Sequence, residues 1–172
     1  RFGSFIFFGL LFLAIATPNL IVARRFGQRT REMPLEVLVG DEMPPSGLLR
    51  FQRQRAAWAT VLVATAAVMG IGGTASWTSI LKFFNATPFG VFDPIFGHDI
   101  SFFVFRLPLL NFFYFWFIAA VMLTAVLVVV SYNRDRSIRH EDETWQTTPF
   151  VRSHLSGIGA GFAVILGFGY WI

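Results

Sequence analysis

The chain has no cysteine and a single lysine, Lys82, among its 172 residues. Without thiols there are no disulfides, thiolate metal sites, iron–sulfur clusters or cysteine nucleophiles, and the redox compartment goes unmarked. Charge is scarce as well. Asp, Glu, Lys and Arg make up 14% of the chain, against about 25% in a soluble domain. No P-loop, nucleophile–base pair or pocketed pair of carboxylates can be read. A dinucleotide fingerprint starting at Gly157-Ile158-Gly159 fails, because position 162 is Phe, no strand precedes it and no acidic residue follows. The net charge of +4 comes almost wholly from arginine. Those arginines lie between apolar runs instead of sharing one face, which argues against nucleic acid and for anchoring at a membrane surface.

What the chain has in excess is apolar length. Hydrophobic residues are 55% of it, 22 residues are Phe, and the mean hydropathy is +0.60. Four apolar runs lie near residues 2–22, 56–76, 109–131 and 153–172. Each has roughly the 20 residues that cross a hydrocarbon core of about 30 Å. The expected fold is therefore all-α, a polytopic transmembrane helix bundle forming one membrane domain over residues 1–172. Its expected partners are the lipid bilayer and other transmembrane helices.

The first run leads through Pro18 and Asn19 to Arg24-Arg25, which reads as a span end and not as a signal-peptide cleavage site. Pro18 predicts a kink. Residues 48–55 suit the surface-lying start of the second helix. The β-branched run 126–130 would suit a strand in water, but in lipid a helix satisfies its own backbone. Tyr114 and Trp116 are placed in one interfacial aromatic belt and Tyr132 in the other. Arg1 and the apolar pair Trp171-Ile172 make both ends read as interior to a longer chain.

Orientation follows from basic residues. The polar stretch 24–55 holds seven arginines, 133–152 holds four, and 77–108 holds only Lys82 and Arg106. The positive-inside rule places the first two in the cytoplasm and 77–108 on the opposite side. Small residues at four-residue spacing, Ala66 with Gly70 and Ser153 with Gly157 and Gly161, mark helix faces suited to close packing.

The stretch 77–108 is apolar, yet Asn85, Pro88, Gly90, Asp93, Pro94, Gly97 and Asp99 fall too close together for an unbroken helix. It is predicted not to cross the bilayer. Residues 77–84 are expected to form a short interfacial helix with Trp77, Ile80, Leu81 and Phe84 on one face. Turns come next, and residues 100–105 should run along the interface to Pro108, which opens the third span.

Candidate chemistry is thin. Asp93, His98 and Asp99 have residue types and spacing that can hold a metal, but a third protein ligand is not visible. The alternative is turn chemistry: Asp93-Pro94 starting a turn, Gly97 supplying positive φ, and Asp99 capping the segment after it. Asn85-Ala86-Thr87 fits a glycosylation acceptor or simply a turn. His154 is either a ligand for haem or pigment or an interfacial histidine at a helix start. His140, among mixed charges, reads as solvated. The runs 2–22, 56–76 and 109–131 contain no Asp, Glu, Lys, Arg or His, which weighs against a coupled transport path. No cofactor is expected.

Several motifs in this stretch belong together: Trp77, Leu81-Lys82-Phe83-Phe84-Asn85-Ala86-Thr87-Pro88-Phe89-Gly90, Asp93-Pro94-Ile95-Phe96-Gly97, Asp99-Ile100-Ser101-Phe102-Phe103-Val104-Phe105 and Leu107-Pro108. With Ala23-Arg24-Arg25 and the segment from Ser153-His154-Leu155 to Gly169-Tyr170-Trp171, they resemble a large family of uncharacterised bacterial membrane proteins of the UPF type. The 24–55 loop departs most from its pattern. The resemblance implies a multi-pass protein of the bacterial plasma membrane, much longer than this chain, with several N-terminal spans and a large extracytoplasmic region. It carries no catalytic residues over. The leading functional expectation is a non-catalytic scaffold or accessory subunit of a membrane complex. A transporter or permease completed by further spans is the alternative, and a membrane enzyme the third.

Overall fold

The computed structural model describes residues 1–29, 45–135, 137–141 and 144–170. Most of the 24–55 polar stretch between Arg29 and Pro45, and the end of the fourth apolar run at 171–172, lie outside the described residues. The helices are α1 (Phe2–Arg29), α2 (Pro45–Thr74), α3 (Trp77–Phe84), α4 (Leu107–Arg134) and α5 (Pro149–Gly169). Among the described residues, four stretches are long and apolar enough to cross a membrane: Phe2–Phe26, Arg53–Thr74, Phe102–Arg134 and Pro149–Gly169. The shortest, at 21 residues, extends about 32 Å at 1.5 Å per residue. The bundle is thus all-α, with one short hairpin added between α4 and α5.

The helices lie in the order α2, α1, α4, α5, with α1 packed between α2 and α4. Sequence periodicity explains the central place of α1. Phe8, Phe12, Ala16 and Leu20 recur every four residues, hence on one helix face, and all are buried. Their partners are Ala66 and Met69 on α2, and Trp116, Ala120, Leu127 and Val128 on α4. Phe8 is the hub, with ring centroids of Phe112, Trp116 and Phe113 at 5.2, 5.3 and 5.6 Å. The outward surfaces are apolar, with Phe7, Val63, Val68, Ile71, Phe115 and Val164 exposed. That is the pattern expected where the solvent is lipid, in which only internally bonded backbone is tolerated.

The α1–α2 seam is close because α2 offers small residues. A Cβ on Gly70 would stand 2.7 Å from the Phe5 carbonyl oxygen, and one on Gly73 would run into the Phe8 ring. Ala66 meets Gly9 across the same seam, its carbonyl oxygen 3.3 Å from where a Gly9 Cβ would be. The Arg24 guanidinium sits 5.9 Å from the centroid of the Trp58 ring, a cation–π contact nearer the other end of the same pair of helices.

Several elements differ from the sequence reading. α1 continues past Arg24-Arg25 to Arg29 as one helix that contains Pro18. The helix start expected at 48–55 is present, and α2 begins slightly earlier, at Pro45. α5 starts at Pro149, ahead of position 153, because Thr148 caps it: its hydroxyl accepts from the Val151 amide at 3.4 Å, with Pro149 in the first turn. Threonine followed by proline is a strong helix-start signal. The 133–152 stretch is not all loop. Ile138–Glu141 (β1) and Thr144–Thr147 (β2) pair antiparallel, with Ile138 opposite Thr147. The β-branched and aromatic content of Thr144, Trp145 and Thr147 favours strands there.

The aromatic belt assignment also changes. Trp116 and Tyr132 are buried in the bundle, because their polar tips find protein partners instead of headgroups. The Trp116 indole N–H donates to the Met69 carbonyl at 3.3 Å.

Candidate functional site

Among the described residues, polar side chains gather in the connection between α3 and α4 and in the seam where α1, α4 and α5 meet.

In the connection, α3 spans Trp77–Phe84 as expected. The segment after it is a tightly bonded loop. The Asp93 carboxylate accepts from the Ile95 and Phe96 amides at 2.9 and 2.8 Å. Asp99 accepts from the amides of Phe89 at 3.1 Å, Gly90 at 2.7 Å and Ser101 at 2.8 Å. Backbone bonds from Asp93 to the His98 carbonyl and from Ile100 to the Val91 carbonyl close the loop on itself. Gly90 and Gly97 take φ of +73° and +67°, a region open to glycine at no steric cost. Asn85 ends α3, its side-chain amide donating to the Leu81 carbonyl at 2.8 Å. The geometry is therefore that of turns and caps. His98 does not join the two carboxylates in a ligand set, and its ring stacks on Phe102 at 4.8 Å. Among the described residues no group of three or more His, Cys, Asp or Glu side chains could hold a metal ion. The Ser101 hydroxyl and amide, joined by the Phe89 and Gly90 amides, lower the Asp99 pKa to about 2, because each donor favours the charged carboxylate.

Residues 100–105 do not run along to Pro108 as a separate segment. Helix begins at Ile100 and passes through a π turn, Phe102–Arg106, directly into α4. The cause is Pro108. Its ring would clash with the carbonyl four residues back, and it has no N–H to give. The π turn widens the helix just before it, the Leu107 N–H reaching back five residues to the Phe102 carbonyl.

The second place was not legible in the sequence. His154, near the start of α5, lies between Tyr132 of α4 and Asn19 of α1. Tyr132 Oη is 2.8 Å from His154 Nδ1, and Asn19 Oδ1 is 3.2 Å from His154 Nε2. The Asn19 amide donates to the Ile15 carbonyl at 2.8 Å, which leaves its oxygen as acceptor and places the imidazole proton on Nε2. Both ring nitrogens are engaged, so neither is free for haem or pigment. Phe26 and Phe150 stack beside the cluster at 3.6 Å. A cleft of about 470 Å³ adjoins it, lined by Asn19, Thr124, His154, Gly157 and Gly161 among others. Gly157 and Gly161 do not meet a helix within the described residues: a Cβ on either would touch nothing within 4 Å. Ser153, in the same stripe, is exposed. Of the small-residue faces, the Ala66–Gly70 face is used inside the chain and the α5 face stands open. The signal for the cluster was Asn19 inside an apolar run. Its partner is 135 residues away, beyond the reach of any local pattern.

The fold and these sites define a class: an apolar multi-helix membrane bundle. The family model described as "Uncharacterised protein family (UPF0182)" matches residues 1–172, and the chain belongs to that family. The UPF0182 protein of Sulfurovum sp. (strain NBC37-1) is 31% identical over 137 residues, covering 78% of this chain and 15% of that protein. That of Clostridium perfringens (strain SM101 / Type A) is 32% identical over 116 residues, covering 60% and 13%. That of Thermobifida fusca (strain YX) is 34% identical over 107 residues, covering 62% and 10%. The chain thus spans at most 15% of the length of these relatives. No solved structure matches it.

Proposed function

We propose that this region is a non-catalytic membrane scaffold, an accessory part of a larger complex in the bacterial plasma membrane, crossing it four times. The observation that carries the reading is the open α5 face. α5 buries only Val151 among its described residues, while Gly157 and Gly161 line a cleft with nothing against them. In lipid, close backbone approach over glycine is a main source of helix association. The face suits a further transmembrane helix of the assembly. The test is purification under native conditions with mass spectrometry of the intact species. A stoichiometric complex that Gly161→Leu dissociates supports the scaffold. A single-component protein indifferent to Gly161→Leu would count against it.

One observation favours a second reading, a transporter or permease. His154 is an ionisable side chain within the bundle, wired to Asn19 and Tyr132 beside a cleft. Such groups mark ion and proton paths. On this reading His154→Gln abolishes solute-driven proton movement in reconstituted vesicles while leaving the melting profile close to that of the parent protein. On the scaffold reading no such flux is measured in either.

A further inference from the structure

We propose that the loop at residues 89–96 is a lipid-inserting crest, seated at the headgroup–acyl boundary beside the first turn of the third membrane-length helix. Its occupant is the bilayer itself.

Three observations meet here. The first is what faces outward. Ile95, Phe96 and Phe92 are 82%, 68% and 66% exposed. Leu81 and Phe84 before the loop and Val104 after it are exposed as well. The carboxylates of Asp93 and Asp99 accept from backbone amides of the loop.

The second is level. The loop does not project away from the bundle. Phe89 packs on Phe105 at 5.5 Å, Phe96 on Phe103 at 6.1 Å and His98 on Phe102 at 4.8 Å. Phe102, Phe103 and Phe105 belong to the opening turn of the membrane-length stretch Phe102–Arg134. The crest therefore stands at the height where that helix meets the bilayer surface. The flanking charges, Lys82 and Arg106, sit on long side chains that can lay their apolar stems along the acyl boundary and keep the charged heads in the headgroup layer.

The third is the backbone. Irregular chain in a poorly hydrated layer leaves N–H groups without water to bond. In this loop the amides of Phe89, Gly90, Ile95 and Phe96 are all taken by Asp99 or Asp93. A protein partner is the weaker fit. Interfaces between proteins carry a polar rim that fixes register, and the most exposed side chains of this loop are Ile95, Phe96 and Phe92.

The absence of cysteine makes the test direct. Ile95→Cys in the intact protein takes an environment-sensitive nitrobenzoxadiazole label. The protein is then reconstituted into vesicles of phosphatidylcholine and phosphatidylglycerol. Some of the phosphatidylcholine carries a nitroxide high on its acyl chain. Blue-shifted emission is expected, with most of it lost to the nitroxide lipid and little lost to aqueous iodide. The depth should be about 5–10 Å below the headgroup boundary. Phe92→Cys reads the same surface and keeps the test open if one variant folds poorly. Quenching by iodide would place the crest in water and overturn the proposal. Shielding from both quenchers would show a protein surface covering it, and overturns the proposal equally.

Discussion

Asp99 locks a loop with one side chain. Its carboxylate ties together two ends of a turn ten residues apart, Phe89 and Asp99 itself, and then caps the helix beyond it through Ser101. The charged form is what the surrounding donors favour, which is why its pKa falls from 3.8 to about 2. The sign of the pH dependence comes from linkage. A carboxylate whose folded pKa lies below its unfolded value gives its full stabilisation above about pH 4, and loses it progressively as pH falls toward 2. Pepsin, active across that window, should cut the Phe89–Gly90 region more readily near pH 2 than near pH 4. Asp99→Asn, with the charge removed, should already be cut at the higher pH. Equal resistance of the variant and the parent protein at the higher pH would show that the carboxylate does not hold the loop.

At the scale of elements, the seams of the bundle are unequal, and glycine reports the difference. Gly73→Ala pushes a methyl group into the Phe8 ring, at the centre of the aromatic hub. Overpacking of this kind costs about 1–3 kcal/mol, and the melting temperature in detergent should fall. Gly161→Ala meets open space, and should melt no lower than the parent when these 172 residues stand alone. A parent-like melt for Gly73→Ala would mean that α1 and α2 sit too far apart for that clash. Much of this architecture was legible. Hydrophobic length located all four long helices, and the breaker spacing from Asn85 to Asp99 located the loop and the end of α3. The hairpin at 138–147 was less so, since four-residue strands among charges carry little periodic signal. Nor could the pairing of Asn19 with His154 be read, because a hydrogen bond between distant helices depends on tertiary packing and not on spacing along the chain.

At the scale of the whole molecule, the distribution of basic residues predicts an orientation that labelling can check. Thr87 and Asn133 are both exposed, at opposite ends of the third membrane-length helix. A cysteine at Thr87 should react with a membrane-impermeant thiol reagent in intact cells, while one at Asn133 should react only after the membrane is opened. The reverse pattern would invert the topology. The π turn at Phe102–Arg106 bears on the same arrangement. It amounts to an α-helix with one residue too many, and each residue in an α-helix turns the chain by about 100°. Removing a single residue there would restore ordinary winding at little local cost. It would also swing the loop, with Phe89 and Phe96, through more than a quarter turn around the helix axis. The extra residue therefore acts as an angular setting, deciding which compass direction around the third helix the aromatic loop faces.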